Sequence, residues 1–96
     1  MKRTEQIDAL LFDAKIILEE LEETAFTWEC RYNNQVARLE ELKSIDFFFS
    51  TIDTKQAVSR AERRKNKYRR ICFKLFDKIS VYREMVDAIQ KAYDIG

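Results

Sequence analysis

The chain has 96 residues, of which 46% are hydrophobic and 36% charged, with a formal net charge of +1, no Pro and a single Gly at its end. That length allows one domain with a small core, the mixture of apolar and charged residues excludes a disordered chain, and the lack of Pro and internal Gly leaves nothing to interrupt long helices. Apolar runs of three or four residues fall far short of the roughly 20 that cross a bilayer, and the polar start lacks the apolar stretch of a secretory leader, so the expected location is cytoplasmic, with no membrane partner.

Thr4 is placed to cap a first helix, with Glu5 and Asp8 near the positive end of its dipole. From Ile7 the apolar residues recur at spacings of four and three: Leu11, Ala14, Leu18, Leu21, Ala25, Trp28 and Tyr32, then Leu39 and Leu42. This heptad seam predicts a helix over about residues 5–43. It weakens once, at Gln35.

The stretch "SIDFFFSTID" follows, at residues 44–53. Short polar side chains at Ser44, Asp46, Ser50, Thr51 and Asp53 compete for backbone hydrogen bonds, which predicts a turn over about residues 44–52. Phe47, Phe48 and Phe49 cannot all face one seam. They are expected to close the core at the hairpin tip or, alternatively, to contact another protein.

Asp53 and Gln56 read as a capping box for a second helix over about residues 53–94. Its seam runs through Val58, Ala61, Lys65, Tyr68, Cys72, Leu75, Ile79, Tyr82, Val86, Ile89 and Tyr93, and Gly96 suits a C-terminal stop. Lys65 occupies a seam position; its stem can lie on apolar neighbours while its ammonium reaches water or Glu62.

A short connection makes the helices antiparallel, so that residue n faces about residue 98 minus n. The expected fold is therefore all-α, a long helical hairpin forming a single domain over residues 1–96. Leu10, Phe12, Ile16, Ile17 and Phe26, with Ile71, Phe73, Phe76 and Met85, exceed what one seam uses. That excess predicts a homodimer in which two hairpins form a four-helix bundle; a short third element built from residues 44–50 is the alternative cover.

Charge is the functional lead. Residues 1–46 hold six Lys or Arg against eleven Asp or Glu, whereas residues 47–96 hold twelve against six. The segment "RAERRKNKYRR", residues 60–70, carries seven basic residues and one acid. In the expected register it lies beside Arg31 and Arg38, and Arg63, Lys67, Arg70 and Lys74 recur at helical spacing as one exposed row. Arg60 and Arg64 extend this basic set. Such a row can meet successive phosphates of DNA or RNA, or an acidic protein surface, or it can simply be a solvated helix face.

The aromatics do not favour base reading. Trp28, Tyr32, Tyr68 and Tyr82 fall on the seams and are expected in the core, and no zinc-finger spacing, short helix-turn-helix or RNA-binding sheet pattern is present. Cys30 and Cys72 are too far apart in sequence for a metal-binding pair, and the chain has no His; both are expected to be buried thiols, with no metal and no cofactor. Without His, a Gly-rich phosphate loop or a nucleophile elbow, no enzyme is expected. Acid pairs such as Glu19 with Glu23 or Glu40 with Asp46 read as solvated helix surface. The reading reached is a small regulatory or scaffolding protein that binds nucleic acid through a basic helix face. A protein-binding adaptor or inhibitor is the alternative.

Overall fold

The computed structural model describes residues 5–94, and side-chain burial for residues 5–92. It is an all-α hairpin of two helices in contact, α1 (Glu5–Phe49) and α2 (Ile52–Asp94). The expected cap at Thr4, the stop at Gly96 and the side chain of Tyr93 lie outside the described residues. The chain divides into two compact units, a turn half comprising Phe26–Phe73 and a terminal half comprising the described residues on either side, 5–25 and 74–94.

Within the terminal half the two seams meet. Leu11, Ala25, Ile79 and Val86 are buried, while Ile7, Ala14, Leu18, Leu21, Leu75, Tyr82 and Ile89 are half-buried. Removing such aliphatic side chains from water contributes on the order of 1.5–3 kcal/mol each when burial is complete. Leu10, Phe12, Ile17 and Met85 stay outside this core and exposed. An ion pair between Arg83 and Glu22, at 2.9 Å, joins the two helices along one flank of the seam.

The turn half buries Leu39, Ala61 and Cys72 together with Gln35, and half-buries Trp28, Tyr32, Leu42, Val58, Lys65 and Tyr68. The Trp28 and Tyr68 rings pack with centroids 5.6 Å apart and planes inclined at 58°, a tilted geometry that suits two quadrupolar faces. These contacts fall two residues nearer the turn than the expected register. Lys43 pairs with Glu62 at 3.5 Å, so Glu62 turns across the hairpin and not toward Lys65. In each half the ion-paired residues sit four positions after a seam residue, so both pairs fall on the same flank of the seam. No large side chain among the described residues is fully buried, as expected where only two helices enclose the core.

The turn differs from its sequence expectation. Only Ser50 and Thr51 separate the helices, so α1 continues through Phe49. Ser44 does not break it because its hydroxyl donates back to the Glu40 carbonyl at 3.1 Å, within the helix. The capping box is formed by Thr51 and Thr54, not by Asp53 and Gln56. The Thr54 amide donates to Thr51 Oγ1 at 3.1 Å, and the Thr51 amide donates to Thr54 Oγ1 at 2.9 Å. The Thr54 hydroxyl in turn donates to Asp46 at 2.7 Å, tying the last turn of α1 to the first of α2.

Candidate functional site

The position of each basic side chain follows from the seam. Ala61, Lys65 and Tyr68 turn toward α1, so Arg60, Arg63, Arg64, Lys67 and Arg70 are left exposed, as are Arg31 and Arg38 on α1 and Lys74 on α2. None of these eight forms an ion pair with a described residue. Residues of the turn half include eleven Lys or Arg and six Asp or Glu, against seven and eleven in the rest of the chain. The basic excess of the turn half is therefore larger than the overall charge suggests.

The seven of these residues in the turn half do not form one cluster. Arg63, Lys67 and Arg70 follow one another along the side of α2 away from the seam, whereas Lys74 belongs to the terminal half. Arg38 comes from α1 to border a depression shared with Arg60 and Arg64. Arg31 has a different environment, with its guanidinium carbon 4.6 Å from the centre of the Trp28 ring. That cation–π contact orients Arg31 without neutralising it. Arg69, which lies off both seams, is 5.3 Å from the ring centre of Phe73; an Arg four residues before a Phe on a helix is the sequence signal for it.

The three Phe of the tip do not close the core. Phe47, Phe48 and Phe49 are 83%, 74% and 70% exposed, and Ile52 beside them is 75% exposed. Continuation of α1 to Phe49 spreads them around the last turn, and Phe47 and Phe48 pack only edge to face, with centroids 5.3 Å apart.

The two thiols also separate. Cys72 is buried on the seam, but Cys30 is exposed, contrary to the expectation of two buried thiols. Burial raises the Cys72 thiol above its ordinary value of 9.0, with the Glu29 carboxylate adding to the shift. Among the described residues no group of three or more His, Cys, Asp or Glu could hold a metal ion, and no helix is long and apolar enough to cross a membrane.

No family model, no curated protein and no solved structure matches this chain.

Proposed function

We propose that this chain is a non-catalytic helical module that binds the phosphate backbone of nucleic acid through Arg63, Lys67 and Arg70, with Arg31, Arg38, Arg60, Arg64 and Lys74 adding to the attraction. The observation carrying this reading is that all eight side chains are exposed and none is ion-paired with a described residue. Free cations at successive helical turns can exchange bound counterions for phosphates, and guanidinium groups hold phosphate oxygens by two parallel hydrogen bonds. Trp28 and Tyr68, the aromatic pair of the turn half's seam, are engaged with each other and not with a ligand face. Contacts made to phosphates alone carry no base readout, so the binding proposed is independent of sequence. The proposal includes self-association of two hairpins as a four-helix bundle, supported by the exposed apolar side chains of the terminal half.

Fluorescence titration of generic duplex DNA and of RNA over several salt concentrations tests the reading. Arg63→Gln, Lys67→Gln and Arg70→Gln together should remove most of the affinity and lower the slope of log K against log salt by about 2 to 3, near 0.9 for each lost contact on duplex DNA. No binding to either nucleic acid at low salt, with helical content intact, would count against it.

A second reading, an adaptor or inhibitor acting on another polypeptide, is favoured by the exposure of Phe47, Phe48, Phe49 and Ile52 at the tip. Aromatic side chains left in water at one end of a hairpin suit insertion into a partner's apolar pocket. Substituting the three Phe by Ser separates the readings, because phosphate binding should be unaffected.

A further inference from the structure

A depression of about 180 Å³ lies between α1 and α2 in the turn half. Gln35, Leu42, Ala57 and Ala61 line its buried and half-buried part, while the exposed Arg38, Arg60 and Arg64 border it. Its cause is local. Ala57 and Ala61 are four residues apart on α2, so two methyl side chains stack on one face where larger residues would have filled the space against α1. The volume equals that of roughly six waters in the liquid, enough for a tetrahedral oxyanion with part of its hydration.

The chemistry of the rim is one-signed. Arg38, Arg60 and Arg64 have no ion pair with a described residue, and the one acid within "RAERRKNKYRR", Glu62, is engaged by Lys43. Glu41, three residues after Arg38, does not line the depression. On the buried side, the Gln35 amide nitrogen donates to the Ala61 carbonyl at 3.4 Å; its second hydrogen is not used by that bond. Three arginines from two helices therefore line a space that the Gln35 amide, a polar donor, also lines beside Leu42, Ala57 and Ala61. Such a set repels itself when empty and is satisfied by a compact anion with several oxygens.

We infer that Arg38, Arg60 and Arg64 form a discrete pocket for a phosphoryl group, distinct from the row Arg63, Lys67 and Arg70. The phosphoryl group is either a backbone phosphate of a nucleic acid or a free phosphate compound. The first source rests on the function proposed above; the pocket itself does not. A ligand held from both helices also ties α1 to α2, so binding stabilises the hairpin.

The test separates a shaped pocket from a diffuse positive field. Inorganic pyrophosphate is titrated calorimetrically at low salt into the full chain and three variants. Ala57→Leu fills the depression and keeps every charge. The double variant Arg38→Gln with Arg64→Gln removes two charges at the rim, and Arg63→Gln with Arg70→Gln removes two outside it. Circular dichroism checks that each remains helical. The pocket predicts saturable binding of one pyrophosphate per chain, weakened about tenfold or more by Ala57→Leu and by the rim variant, and changed only about twofold by the outer one. Equal losses in the two double variants, unchanged affinity in a helical Ala57→Leu, or no saturable binding would each overturn it. A second arm repeats the series with labelled duplex DNA and RNA. Weaker binding by Ala57→Leu here assigns the pocket to a backbone phosphate. Pyrophosphate binding that depends on the pocket, without affinity for either nucleic acid, leaves the pocket standing for a free phosphate compound and removes the nucleic-acid reading alone.

Discussion

The side-chain amide of Gln35 reaches across the hairpin to the backbone carbonyl of Ala61, at 3.4 Å, from a buried position on the first seam. The carbonyl belongs to the interior of α2, where the helix already supplies it with a backbone donor. This long amide bond is therefore a supplement and not a requirement. Replacing Gln35 by Leu orphans no backbone group and adds apolar burial at a seam position, so stability should rise by about 1 kcal/mol. Urea unfolding checks this: the midpoint should move up with an unchanged slope. A fall would show that the amide bond outweighs apolar packing at this site.

The two-residue connection leans on one reciprocal cap, because Thr51 and Thr54 satisfy each other's backbone amides. Thr51→Ala removes the acceptor for the Thr54 amide and should cost about 1 kcal/mol, the usual loss for a helix N-cap. Thr54→Val removes both the return bond and the 2.7 Å bond to Asp46, so its cost should be greater. By contrast Asp53→Ala should cost less than either, since Asp53 only adds negative charge to the first turn of α2. Thermal unfolding of the three variants gives the order directly.

Exposure divides the thiols into a fast and a slow class. At mildly alkaline pH a thiol-specific reagent should label Cys30 rapidly and Cys72 only on opening of the helix pair, so Cys30→Ser should abolish the fast phase. The sign of the pH effect follows from burial. The folded state holds the Cys72 proton more tightly than the unfolded chain, so this contribution is fully present below the unfolded value near 9.0 and is lost as pH rises above it. A falling melting temperature above that pH, steeper in wild type than in Cys72→Ala, is the expected result.

The core was legible because its signal is periodic. Every described residue of the two expected seams is buried or half-buried, including Gln35 and Lys65. The heptad repeat fixes which face turns inward whatever each side chain prefers singly. The turn was not legible in the same way. Ser44 and Asp46 have turn propensity, yet Ser44 satisfies its hydroxyl within α1 and Asp46 accepts from Thr54 across the connection, so tertiary partners converted turn formers into the end of a helix. The exposed basic row could be read by counting along α2. The depression beside Arg38 could not, since it depends on Ala57 and Ala61 lying against the partner helix, and small residues give no periodic signal of the space they leave.

Leu10, Ile17 and Met85 each directly precede a seam residue of the terminal half and are 62%, 39% and 47% exposed. The ion pair between Glu22 and Arg83 lies on the opposite flank, so these three form an apolar strip on the other side of the seam. A second hairpin packed there would bury them and complete a four-helix bundle. The expected outcome in sedimentation equilibrium is a dimer at micromolar concentration, with a melting temperature that rises with protein concentration as mass action requires. Leu10→Lys with Ile17→Lys should yield a helical monomer, since two charges at a desolvated interface are costly without partners. Leu21→Ala supplies the independent check. Leu21 is half-buried by its own hairpin, so in a monomer its truncation should cost less than the roughly 2–5 kcal/mol typical of a buried Leu, while a bundle that covers it fully should bring the cost into that range. A wild type that stays monomeric at every accessible concentration, with Leu21→Ala costing little, would remove the four-helix assembly and leave the hairpin alone.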